Sequence, residues 1–147
     1  MMNSEEKAII GEAQEGGFPV VYKFVDELPS EEICGRFGWL TVISWKYDGG
    51  NRNGMPPEET NSRMISLEHA IEDNLESKGH CWHAYSRTGN SLKELVYYIS
   101  DRDQFMKAFN DSFKDQPRYP LEINFYEDRA WEDFQKLREM FRQDEGE

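Results

Sequence analysis

The stretch from His80 to Ile99, HCWHAYSRTGNSLKELVYYI, constrains the fold of this chain more than any other. Two runs rich in Trp, Tyr, Val and Ile flank Thr88-Gly89-Asn90-Ser91, and Gly-Asn at the centre of a two-residue connection suits a type II′ hairpin turn. With Thr88 facing Ser91, Ala84 stands opposite Leu95 and Trp82 opposite Tyr97, which makes that face apolar. The other face takes Cys81, His83, Tyr85 and Arg87 with Leu92, Glu94, Val96 and Tyr98. On it Arg87 lies diagonal to Glu94.

Around this hairpin the periodicities give a simple order. Phe18 to Val25 reads as a strand with Pro19 at its start or on a sheet edge. Pro29 to Glu32 opens a short helix or turn that Gly35 and Gly38 close. Gly38 to Tyr47, GWLTVISWKY, is apolar on both alternating sets, as in an inner strand. The turn-rich stretch Asp48 to Pro57 leads to a helix ending near Ser77, with Met64, Leu67, Ile71 and Leu75 as its apolar stripe. After the hairpin, Ser100-Asp101-Arg102-Asp103 caps a helix carrying Phe105, Phe109 and Phe113. Tyr119 to Tyr126 alternates as a half-buried strand, and Arg129 to Phe141 repeats Trp131, Phe134, Leu137, Met140 and Phe141 as a last helix.

The fold class expected is α+β, a ferredoxin-like βαββαβ sandwich with an extra N-terminal strand and a C-terminal helix. Residues 1–16, with four Glu and no sustained period, read as a flexible acidic arm, 17–142 as one domain, and 143–147 as an acidic tail. A chain of 147 residues buries roughly two-thirds of its unfolded surface and needs no staple to fold. Cys34 and Cys81 are too few for a disulfide framework and are expected as free thiols. The start MMNSEEKAII lacks the pattern of a signal peptide, and no apolar run reaches the ~20 residues of a membrane span, so the expected location is cytoplasmic.

A net charge of −12 with pI near 4.7 argues against nucleic acid and points to a basic protein partner. No phosphate loop, GxGxxG, GxSxG or HExxH is present. The polar hairpin face carries the one ligand constellation, His83, Tyr85, Arg87, Glu94 and Tyr98, residue types that could hold a small anion or move a proton. The structural alternative is a cross-strand ion pair, or a face covered by the last helix. His80, Cys81 and His83 alternate across a strand and so do not assemble as a zinc site; His69 falls at the back of its helix. No metal and no cofactor is expected. The stripe of the last helix has two destinations, the open sheet face or a homodimer seam. Three readings follow: a non-catalytic acidic binding or regulatory module, a small-anion binder or enzyme using the hairpin face, and a self-assembling structural protein.

The segments SWKYDGGNRNGMPPEE (44–59), SLEHAIEDNL (66–75), SRTGNSLKELVYYISDRDQF (86–105) and YPLEINFYEDRAWEDFQ (119–135) resemble domain of unknown function family 695, a bacterial family. Its most specific parts are Trp-x-Tyr followed by Gly-Met-Pro, the Arg-Thr hairpin, and Asp-x-x-Trp before the last helix. The resemblance implies no activity and no catalytic residues. In some relatives it implies a second domain similar to a bacterial inhibitor of ribonuclease E.

Overall fold

The computed structural model describes residues 8–50, 52–116 and 118–145, with side chains up to 142 at that end. In chain order the elements are β1 (Ala8–Glu15), β2 (Phe18–Val25), α1 (Glu31–Arg36), β3 (Trp39–Lys46), α2 (Glu58–Ile71), a π-helical turn (Glu72–Glu76), β4 (Trp82–Gly89), β5 (Leu92–Ile99), α3 (Arg102–Phe113), β6 (Leu121–Glu127) and α4 (Glu132–Glu145). The six strands form one sheet in the order β1-β2-β4-β5-β3-β6, with every neighbouring pair antiparallel. The crossover through α2 carries β3 to β4 over β5, and that through α3 carries β5 to β6 over β3. This is the split βαββαβ unit of an α+β, ferredoxin-like sandwich, extended at its β4 side.

That extension corrects one expectation and decides another. Residues 8–15 are a strand, not part of a flexible arm; residues 1–7 lie outside the described residues, as do 146 and 147 of the acidic tail. Gly16 and Gly17, at φ +58° and +84°, make the two-residue turn that pairs β1 with β2. The exposed face of β1 is mixed, Ala8, Ile10, Glu12 and Gln14, and the covered one is Ile9, Gly11, Ala13 and Glu15, so no apolar alternation marks the strand. β2 is consequently an inner strand, and Pro19 sits near its start rather than on an edge.

Each sheet face has its own core. On one, Ile43, Trp45, Leu95, Tyr97 and Ile99 pack against Met64, Leu67, Ile71 and Leu75 of α2 and its π turn, and against Phe105 and Phe109 of α3. On the other, Phe24, Leu40, Val96 and Tyr98 pack under Trp131, Phe134, Leu137 and Phe141 of the α4 segment, with Phe37 and Ile33 beside them. The α4 stripe is therefore buried within its own chain, and of its apolar residues Met140 alone stays exposed.

Asp128 sets the start of α4. Its carboxylate accepts from Glu132 N at 2.8 Å and Asp133 N at 3.1 Å, and from the Tyr98 hydroxyl at 2.7 Å. Trp131 takes a positive φ of 57° there, an unfavourable conformation for a bulky residue. Packing holds it: the indole stacks on Tyr98 at 3.9 Å and 6° and donates to Phe37 O at 2.8 Å.

Candidate functional site

The hairpin turns one residue later than the sequence suggests. Asn90 and Ser91, at φ 50° and 63°, are its central pair, a type I′ geometry. The loop after β3 fixes this unusual Ser91: Ser91 N donates to Gly54 O, Ser91 Oγ accepts from Gly49 N, and Ser91 O accepts from Tyr47 N. Tyr47 closes the arrangement by donating its hydroxyl to Gly54 O at 2.6 Å. Gly89 serves the sheet rather than the turn, since a Cβ there would stand 2.5 Å from Pro19 O.

Moving the turn by one residue keeps the same residues on each face, and it brings Arg87 directly opposite Glu94 rather than diagonal to it. A bulge at Ala84 then changes the alternation. The pairing passes from Tyr85↔Val96 to His83↔Tyr97, so residues before the bulge exchange faces. Tyr85, Arg87, Glu94 and Tyr98 share the α4 face as expected, Trp82 joins them, and His83 with Cys81 goes to the α2 face.

On the α4 face the expected ligand set is used up by the fold. Arg87 is 5% exposed. Its guanidinium donates to Glu15 Oε1 at 2.6 Å, to Leu92 O at 2.9 Å and to Gly89 O at 3.1 Å. The Tyr85 hydroxyl donates to Asp133 Oδ2 at 2.7 Å and the Tyr98 hydroxyl to Asp128. Burial, and next the neighbouring aspartate, push both phenols well above their ordinary range. Burial likewise raises the Glu94 carboxyl against the opposing pull of Arg87. With both terminal nitrogens engaged and the side chain buried under the α4 face, Arg87 offers little to an external anion.

A different cluster opens on the α2 face. Glu68, Glu72 and Glu76 follow one another at four-residue steps along α2 and the π turn, and with His83 and Tyr97 they line a polar pocket of about 180 Å³. The Lys93 ammonium, 8% exposed, reaches Glu68 Oε1 at 3.7 Å. His83 lies against the Tyr97 ring, centroids 5.1 Å apart. Burial first, then Lys93 and Lys23, hold the imidazole down at about 4, so it is neutral near pH 7. Burial and then Glu72 raise the Glu76 carboxyl. Tyr97 is 2% exposed, and its phenol is pushed well up by burial and then by Cys81 and the three glutamates. Sequence reasoning passed over this group. The four-residue spacing of the glutamates beside the apolar stripe was a readable signal, but the bulge that brings His83 to them was not.

Among the described residues no three His, Cys, Asp or Glu side chains converge as a metal site. Cys34 and Cys81 are free, and burial raises both thiols, which leaves them poor nucleophiles. No described helix is long and apolar enough to cross a membrane.

A family model described as a family of unknown function, DUF695, matches residues 16–137. The chain belongs to the DUF695 family. No curated protein and no solved structure matches it. Several segments inside the matched region have structural roles. Trp45-Lys46-Tyr47 and Gly54-Met55-Pro56 dock the long loop on the hairpin turn, Arg87 holds β1, and Asp128 to Trp131 caps and seats α4.

Proposed function

We propose that this DUF695 chain is a non-catalytic, cytoplasmic binding or regulatory module that engages a basic protein partner. The observation that carries this reading is an asymmetry in how its charges are used. Arginines in particular are paired or laid over rings, Arg87 with Glu15, Arg138 and Arg142 with Asp26, and Arg63 and Arg102 over Trp45 and Trp39, while lysines such as Lys46, Lys78 and Lys136 stay exposed elsewhere. The acidic run Glu58, Glu59, Glu68, Glu72, Asp73 and Glu76 along α2 and its π turn has Lys93 as its sole ion-pair partner among the described residues. Such a one-signed surface steers an oppositely charged partner and makes its association rate fall with salt.

The test is retention of basic proteins on the immobilised chain, with elution by rising salt. Basic proteins should elute, and a Glu58→Lys, Glu59→Lys, Glu72→Lys variant should retain far less. If nothing basic elutes, or the variant retains as much, the reading fails.

A further inference from the structure

We propose that the pocket between the π turn and β5 is a binding site for a primary ammonium group, the end of a lysine side chain presented by a basic partner. This inference rests on the partner reading and names where contact is made. An acidic cluster alone would not carry it, because carboxylates on a helix are commonly just a solvated face. The deciding feature is Tyr97.

Tyr97 is 98% buried, by the complement of its 2% exposure, and its hydroxyl makes no hydrogen bond among the described residues. A phenol as buried as this usually finds a partner. No fully enclosed side-chain oxygen or nitrogen lacks a partner among the described residues, so the Tyr97 oxygen is not sealed off, and Tyr97 lines this pocket. It does so facing Glu68, Glu72 and Glu76. The sheet thus sets a phenol oxygen that has no partner among the described residues, on an otherwise buried side chain, beside three carboxylates, of which Glu68 alone pairs with a described cation.

The ligand chemistry follows from this set. The donors are too dispersed to close around a single metal ion. An ammonium carries three donors and no acceptor, and it is compact enough for about 180 Å³. It can donate to a glutamate, to the Tyr97 oxygen and to the neutral imidazole of His83 or a second glutamate. A guanidinium could fork onto one glutamate, but its donors are held in one plane, whereas the compact ammonium can turn its three donors separately toward a carboxylate, the phenol oxygen and the imidazole. The π turn contributes position: Ser77 N donates to Glu72 O at 2.9 Å, and this widened turn carries Glu72 and Glu76 beside the strand. Turns of this kind occur often at functional sites.

The experiment is a titration of the isotope-labelled full chain, followed by amide NMR, with Nα-acetyl-lysine amide and in parallel with its arginine counterpart. Saturable shifts are expected at the amides of 72–76, 83 and 97. Tyr97→Phe, which keeps the ring, should weaken binding about ten-fold, the size expected for one hydrogen bond to a charged group. Glu72→Gln, at an exposed position, should weaken it as well and tests the same wall without risk to folding. No saturable shift with lysine, equal binding of arginine, or undiminished binding by both variants would overturn the proposal. Retention of basic proteins without any lysine shift would overturn the pocket alone. Lysine binding without retention of a basic protein would overturn the partner reading and leave the pocket standing.

Discussion

Arg87 and Glu15, 72 residues apart in the chain, meet through a 2.6 Å ion pair that ties β1 to the central hairpin. The Arg87 side chain is 6% exposed and that of Glu15 41% exposed, so the two ends of the pair differ in what their loss leaves behind. Glu15→Ala strands a buried guanidinium that keeps only two carbonyl partners. The expected cost is about 2 kcal/mol in urea unfolding, the low side for a buried pair because Glu15 is itself half in solvent. Lys107→Ala, which breaks an ion pair at 80% and 63% exposure, should stay within about 0.5 kcal/mol. Equal costs for the two variants would contradict this account.

Asp128 joins a helix cap to a buried phenol, so its effects and those of Tyr98 should not add. Asp128→Ala removes the α4 cap and leaves the Tyr98 hydroxyl without its acceptor, at a cost of about 2–3 kcal/mol. Tyr98→Phe should cost about 1 kcal/mol. A double-mutant cycle checks the link, and the double variant should be less destabilised than the sum of the singles.

Gly11 gives Phe141 its place, since a Cβ at position 11 would overlap the Phe141 ring. Gly11→Ala is therefore expected to destabilise by about 1–3 kcal/mol, although alanine suits a strand better than glycine does. Phe141→Leu in the same chain should recover part of that loss. Thermal unfolding of the three variants would decide the matter.

The pH dependence of stability should carry the mark of His83. Its imidazole is held at about 4 in the folded chain, below the ordinary value of 6.5. The folded state thus favours the neutral ring, and this contribution is complete above the unfolded value and lost as pH falls from 6.5 toward 4. Glu76 works in the opposite sense, because its raised carboxyl favours the protonated form and its share fades as pH rises. Relative to His83→Gln, the parent chain should lose stability between pH 7 and pH 4. The ring proton of His83 should titrate in NMR near 4, and a midpoint near 6.5 would refute the assignment.

Much of the fold was legible because its signals are local. The α2 stripe of Met64, Leu67, Ile71 and Leu75, the Asp101 cap that accepts from Gln104 N at 2.9 Å, and the alternation of β6 all stand where periodicity places them. Loss of legibility began where a long-range contact decides the outcome. β1 looks like an arm until Arg87 is there to receive Glu15, and Ser91 takes a turn position that only the docked 48–55 loop makes tolerable. For the candidate site the limit was a single inserted residue. Strict alternation keeps His83 with Arg87, whereas the bulge at Ala84 hands it to Glu72 and Glu76, and nothing in the local sequence announces a bulge there.

The two cores also differ in when they can close. Everything that packs on the α2 face lies between β3 and β6, but the opposite face is roofed by α4, which is made only after every strand of the sheet. Until then a nascent chain with its sheet already formed leaves Phe24, Leu40, Val96 and Tyr98 open to water. Each round of synthesis therefore passes through a stage at which this acidic, polar protein presents a bare aromatic surface that a holding chaperone would recognise.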